Sequence, residues 1–266
     1  MIPKIIHYIW VGGNPLTPLA EKCIESWKKY CPDYEIKRWD ETNFDPNQNK
    51  YCKEAYENKK WAFVSDYIRL KVLYDYGGIY MDTDVEVIKP LDKFLDNPAF
   101  SGFENDTSIP TGIIAAEKNN KWIEELLKDY DGRSFVKDDG SFDLTTNVIT
   151  ITNTTKKIYP FITLDNKYQK FENVVFYPKD YFCPVDYETK ELMKTENTFT
   201  IHWFAGSWVP KLNFIQKTIL NIKIISRKIL GDKLYDKMKE KSYKRKCKKY
   251  QKRKKTVECS EPNKLD

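Results

Sequence analysis

SDYIRLKVLYDYGGIYMDTD, residues 65–84, joins an amphipathic helix, a glycine break and a strand that ends in paired aspartates. Gly77 and Gly78 supply the sharp turn between the two elements, a conformation that other residues resist. Side chains alternate across an extended strand. Ile79, Met81, Thr83, Val85 and Val87 are therefore expected on one side, and Tyr80, Asp82, Asp84 and Glu86 on the other. The apolar side then faces a core and the acidic side a cleft. Two carboxylates two residues apart near a strand end are hard oxygen ligands suited to Mg2+ or Mn2+, with a nucleoside diphosphate completing the coordination. An isolated acidic triplet is more often a solvated face. Here the flanking helix and glycines reverse that reading.

Strand and helix signals alternate on both sides of this stretch. Ile5 to Val11 reads as a short buried strand broken by Gly12, Gly13, Asn14 and Pro15. Leu19 to Tyr30 has helical spacing, with Leu19, Cys23, Ile24 and Trp27 on one face, and a strand follows from Tyr34 to Trp39. After a polar loop around Asp40 to Asn49, the spacing predicts a helix over Trp61 to Tyr76. Beyond the aspartates come strands near Ala99 to Phe103 and Gly112 to Ala116, then a helix at Lys121 to Tyr130. Leu144 to Thr154 reads as helical and Asn173 to Tyr177 as extended. The pattern is that of an α/β fold with a mostly parallel central sheet, whose ligands bind beyond the carboxyl ends of the strands.

A chain of 266 residues with 15% aromatics buries a substantial core. The six cysteines form no C-x-x-C pair, which argues against a zinc ribbon or a redox motif. MIPKIIHYIWVGG lacks the basic start and long apolar run of a signal peptide, and no stretch approaches the length of a membrane span. Charge is uneven. Between Lys211 and Lys255, 18 Lys and Arg stand against Asp232, Asp236 and Glu240, a net of +15. Residues 1–210 carry 26 Lys and Arg against 33 Asp and Glu, a net of −7. The chain thus divides into an acidic body, 1–210, and a basic C-terminal extension, 211–266.

Three segments, IPKIIHYIWVGG at the start, SDYIRLKVLYDYGGIYMDTD in the middle and HWFAGSW from residue 202, stand in an order and spacing that resemble glycosyltransferase family 32. They are also similar to the glucosyltransferase domains of large clostridial toxins. The resemblance covers about residues 1–210. It implies a GT-A type nucleotide-sugar-binding fold, a UDP- or GDP-sugar donor, a divalent metal and anomeric retention.

The resemblance also implies roles for particular residues. Trp10 is expected to stack on the nucleobase, with Ile9 and Val11 beside it; an indole face stacks on any base, worth about 1–3 kcal/mol. Gly12 and Gly13 are expected to leave room for that approach, and His7 to be structural. Asp66 and Arg69, three apart on one helical face, are either a plain ion pair or donor contacts. In the family pattern Asp66 accepts from sugar hydroxyls and Arg69 holds sugar or diphosphate oxygens. Ser65 and Tyr80 are expected to join them. Asp84 is the direct metal ligand, and Asp82 binds the metal, ribose or a metal-bound water. His202 either completes the metal shell as a neutral imidazole or meets the β-phosphate as a cation. Glu86 is read as solvated. Ser207 and Trp208 resemble a loop that closes over bound donor. Where the family often carries Thr-Gly-Pro, this chain has Thr145-Thr146-Asn147, and Asn147 is either a sugar contact or a helix-start residue.

In the extension, Ile215, Ile219, Ile222, Ile225 and Ile229 give an apolar stripe among lysines, followed by KSYKRKCKKYQKRKK. Such segments bind anionic membrane surfaces, at about 1 kcal/mol per Lys or Arg near the surface; nucleic acid is the weaker reading, beside a solvated tail. The sequence thus reads as a metal-dependent hexosyltransferase of surface polysaccharide synthesis. It would sit at the cytoplasmic membrane face and extend a glycan or lipid-linked acceptor. The alternatives are a non-catalytic polyanion- or membrane-binding protein on the same fold and a nucleotide-sugar hydrolase. Intact Asp82 and Asp84 argue against the first.

Overall fold

The computed structural model describes residues 1–206, apart from Asp106, Thr111 and Glu188. The basic extension, with Ser207 and Trp208, lies outside the described residues. The chain opens with β1 (Ile5–Ile9), α1 (Pro18–Tyr30), β2 (Glu35–Trp39), α2 (Lys50–Glu57) and α3 (Trp61–Tyr76). It continues through β3 (Gly78–Met81), β4 (Val85–Val87), β5 (Ala99–Gly102), β6 (Ile113–Ala116), α4 (Lys121–Lys128) and α5 (Asn147–Ile158). β7 (Gln169–Lys170), β8 (Val175–Tyr177), α6 (Lys179–Phe182) and β9 (Thr200–His202) complete it. No described helix is long and apolar enough to cross a membrane.

Seven strands form one sheet in the order β2-β1-β3-β6-β5-β8-β7, and β4 pairs with β9 in a separate ribbon. β2, β1, β3, β5 and β8 point one way, while β6 and β7 run against their neighbours. The mixed α/β architecture with a mostly parallel sheet is the expected one. Alternation along the strands feeds two cores. Tyr80, Ile114 and Ala116 join the helices α2 to α5 through Val64, Leu73 and Trp122. Ile79, Met81, Ile113 and Ala115 join α1 through Ile24 and Trp27.

Local chemistry sets the boundaries. Thr17 caps α1 by accepting from the Ala20 N–H at 3.2 Å, and Pro18 occupies the first turn, where no amide is needed. α2, which the sequence reading does not assign, is capped by Asn49, whose side chain accepts from the Cys52 N–H. α5 begins three residues later than expected because Asp143 is committed elsewhere: it accepts from Arg133 and from the Thr145 N–H, which holds 143–145 out of the helix. The larger correction concerns the aspartates. They do not lie on one continuous strand: β3 stops at Met81, the Val85 N–H closes a turn onto the Asp82 carbonyl at 3.0 Å, and β4 leaves the main sheet. β4 is then held against α1, where the Trp27 Nε1–H donates to the Val85 carbonyl at 2.7 Å and Ser26 Oγ accepts from the Val87 N–H.

His7 is structural, as expected. It is fully buried, donates from Nε2 to the Gly77 carbonyl at 2.7 Å and accepts at Nδ1 from the Trp39 indole N–H at 3.0 Å. Gly78, at φ +109°, lies against it: a Cβ there would stand 2.7 Å from the Ile5 carbonyl oxygen and 2.8 Å from His7 Nε2. Burial pushes the His7 imidazole down to about 4, opposed by the Gly77 carbonyl. The unfolded chain therefore binds one more proton between about pH 4 and 6.5, and stability rises with pH across that window. Denaturant unfolding is expected to show His7 contributing up to about 3 kcal/mol more at pH 7 than at pH 4. A slope unchanged by His7→Gln would contradict this.

Candidate functional site

The turn that interrupts the aspartate stretch builds the site. The Asp82 N–H donates to the Gly112 carbonyl at 2.8 Å, which fixes the end of β3 to the start of β6. Two residues on, Asp84 is grasped by the chain leaving β9. Its carbonyl accepts from the Trp203 N–H at 3.0 Å, and its Oδ2 accepts from the Ala205 N–H at 2.8 Å. Pairing of Val85 with His202 across β4 and β9 then sets the imidazole beside both carboxylates. His202 Nε2 lies 3.3 Å from Asp84 Oδ1 and 4.0 Å from Asp82 Oδ2. One ligand atom from each of the three residues falls within 4.8 Å of the others. The structure brings Asp82, Asp84 and His202 together.

Two carboxylate oxygens and one imidazole nitrogen form a donor set that fits Mn2+ or Mg2+, with the nitrogen better suited to Mn2+. Burial opposes charge on His202, but its hydrogen bond to Asp84 and the neighbouring Cys183 hold the imidazolium well above an ordinary histidine. The same pair works on Asp84: burial would raise its carboxyl, yet His202 and the Ala205 N–H keep it below the usual range. Gly112 allows the arrangement, since a Cβ there would come within 2.8 Å of His202 Nδ1.

α3 delivers the second half of the site. Asp66 and Arg69 are both buried and pair at 3.0 Å, and Arg69 Nη1 also reaches Asp82 Oδ1 at 3.4 Å. The expected ion pair and the aspartate turn are thus one network. Burial raises the Asp66 carboxyl, opposed by Arg69, while Arg69 stays firmly charged against its own burial through Tyr80, Asp82 and Asp66. Ser65 Oγ lies beneath the guanidinium, accepting from Nη2 at 2.9 Å. Tyr80 does not face a cleft. It is 2% exposed, its ring lies 4.6 Å under Arg69, and its hydroxyl donates to Asp82 Oδ1, so it positions that carboxylate.

Asn147 opens α5, 4% exposed, close enough to Asp66 for its amide to favour the carboxylate. Neither its Nδ2 nor its Oδ1 completes a hydrogen bond. Asn147 is thus a helix-start residue, and its buried amide also lies beside Asp66, where a polar group without a full set of partners costs about 1–3 kcal/mol.

The β1 end is less simple. Trp10 is half-buried at the edge of the α1-side core, and its Nε1–H donates to the Asn14 carbonyl at 2.7 Å. Ile9 and Val11 turn their side chains into the other core and offer backbone alone. Gly12 does not leave the expected room, because the Trp61 indole lies 2.7 Å from where a Cβ would stand. Gly13 is open. Glu86 is not solvated: it accepts from the Trp203 Nε1–H at 2.9 Å and pairs with Lys22, tying the segment after β9 to β4 and α1. Local sequence held no sign of this, as both partners are distant in the chain.

Residues 18–101 match the glycosyltransferase sugar-binding region containing the DXD motif. Inositol phosphoceramide mannosyltransferase 3 of Schizosaccharomyces pombe is 27% identical over 48% of this chain and 36% of its own length. An uncharacterized glycosyltransferase of Acanthamoeba polyphaga mimivirus is 26% identical over 80% of this chain and 86% of its own. Among solved structures, the PaToxG glycosyltransferase aligns at a TM-score of 0.47 and 21% identity, over 60% of this chain and 70% of that one. The chain spans about a third of the first curated relative's length. The matched region holds the Asp66–Arg69 pair and the Asp82–Asp84 turn, so the likeness to DXD-containing glycosyltransferases falls on the residues that build the site.

Proposed function

We propose that the protein transfers a sugar from a UDP- or GDP-sugar to a glycan or lipid-linked acceptor, with Mn2+ or Mg2+ held by Asp82, Asp84 and His202. The carrying observation is the network itself. Asp82 lies between the ligand cluster on one side and Arg69 with Asp66 on the other, so metal site and sugar site share a residue.

A bound divalent cation supplies charge stabilisation to the departing nucleoside diphosphate. The chain's own residues do the rest. Arg69 and the Tyr80 hydroxyl fix Asp82 Oδ1, leaving Oδ2 toward His202. Asp66 accepts from sugar hydroxyls, and the unpaired Asn147 amide offers both a donor and an acceptor beside it. Trp10 stacks on the base, and Ser207 and Trp208 keep the donor-contact role that the family resemblance gives them. Retention by attack on the same face as the leaving group is consistent with these roles, which assign no side chain as a nucleophile.

The mannosyltransferase relative is named for a lipid acceptor, which supports the lipid-linked side of the proposal. The charge pattern of residues 211–255 supports docking on anionic membrane at the cytoplasmic face, where a lipid-linked precursor of surface polysaccharide would be met. Removing 211–255 is expected to abolish sedimentation with phosphatidylserine vesicles and to leave donor turnover in place. Unchanged sedimentation would reject the membrane role.

The direct test is a panel of nucleotide sugars, with Mn2+ or chelator, scored for binding and slow hydrolysis. One donor is expected to turn over with metal only, and Asp84→Asn to lower that rate at least about a hundredfold. Turnover unaffected by chelator, or by Asp84→Asn, would overturn the metal-dependent reading.

A further inference from the structure

A lysine lies beside the segment that follows β9 and holds Asp84. Lys190 sits in a hairpin bridged between Val185 and Leu192. Asp186 organises the turn: its Oδ1 accepts from the Thr189 N–H at 2.7 Å, and its carbonyl accepts from the Lys190 N–H at 2.8 Å. Lys190 itself takes φ +58°, a left-handed conformation that few non-glycine residues adopt. The strain has a geometric result. It directs the ammonium over the rings of Tyr187 and Phe204, 4.6 and 5.1 Å from their centroids, with Nζ 3.4 Å from the Phe204 carbonyl oxygen.

That carbonyl links the lysine to the metal cluster. The peptide joining Phe204 to Ala205 presents its C=O to Lys190 and its N–H to Asp84 Oδ2 at 2.8 Å. Carbonyl oxygen and amide nitrogen of one peptide are about 2.3 Å apart, so Nζ lies no more than about 8.5 Å from Asp84 Oδ2. The Phe204 ring stacks on His202 with centroids 4.1 Å apart, which places the cation on the side of the cluster that β9 supplies. Its neighbours there are anionic: Asp84, Asp186 and Glu104.

The contact to Phe204 is at the outer limit of a hydrogen bond, and Lys190 is exposed, so its ammonium can exchange that carbonyl for a stronger acceptor. A phosphate oxygen offers a charge-assisted contact at about 2.7–2.9 Å. Arg69 is committed to Asp66 and Asp82. At no more than about 8.5 Å from Asp84 Oδ2, Nζ is near enough to reach a diphosphate whose other end meets a cation held by Asp84. We propose that Lys190 is a binding residue for the diphosphate of the donor, carried to the Asp84 side of the site by the 185–192 hairpin. This rests on the donor reading given above.

Calorimetry on the full chain separates the outcomes, using Mn2+ alone, then inorganic pyrophosphate, UDP or GDP in the presence of Mn2+. Lys190→Ala is expected to bind Mn2+ within about twofold of wild type but pyrophosphate and the preferred nucleoside diphosphate about tenfold more weakly, and Lys190→Arg to recover most of the loss. Equal diphosphate affinity in Lys190→Ala would make Lys190 a prop for Phe204 and overturn the inference alone. So would an equal loss for Mn2+ itself, which would show action through Asp84 and His202. A wild-type protein that binds neither pyrophosphate nor either nucleotide would instead remove the donor reading.

Discussion

The site depends on the double hold on Asp84. Its carbonyl and its carboxylate are each taken by an amide from the segment after β9, and its other oxygen faces His202. These contacts pull the chain out of β3 and into the β4–β9 ribbon, which forces the turn at Asp82 to Asp84. Like charges gathered this closely repel, and the repulsion must be offset locally. His202 does so for Asp84 and Arg69 for Asp82, each from a different element. A residue about 120 positions away in sequence therefore decides the geometry of the aspartates.

Support behind the site is divided between the two faces of the sheet. On the α3 face Tyr80 and Ser65 steady Arg69, and through it Asp82. On the α1 face Trp27 and Ser26 hold the backbone of β4, and Glu86 joins Lys22 to Trp203. Each carboxylate thus rests on a separate core, and Gly112 lets the imidazole close the gap between them.

Much of this was legible in the sequence, for definable reasons. The i, i+3 spacing of Asp66 and Arg69 fixes one helical face, and β-alternation placed Ile79, Met81, Val85 and Val87 in one core even though the strand is broken between them. His202 was found through a motif, since nothing in its own neighbourhood separates a ligand from a core histidine. What could not be read were features set by distant partners. Glu86 looks solvated until Trp203 and Lys22 arrive, Gly12 looks open until Trp61 fills it, and Tyr80 looks accessible until α3 covers it. The late start of α5 depends on Arg133 capturing Asp143, which no propensity scale contains.

In the proposed reaction Asp82, Asp84 and His202 hold a divalent ion against the diphosphate of the donor. Phosphorus-31 relaxation of bound UDP or GDP with Mn2+ as the paramagnet measures this without turnover. The β-phosphorus is expected to relax at inner-sphere contact with Mn2+, and Asp84→Asn to remove the effect. Phosphorus signals relaxed only at outer-sphere distance, or equally in Asp84→Asn, would place the ion away from these three residues.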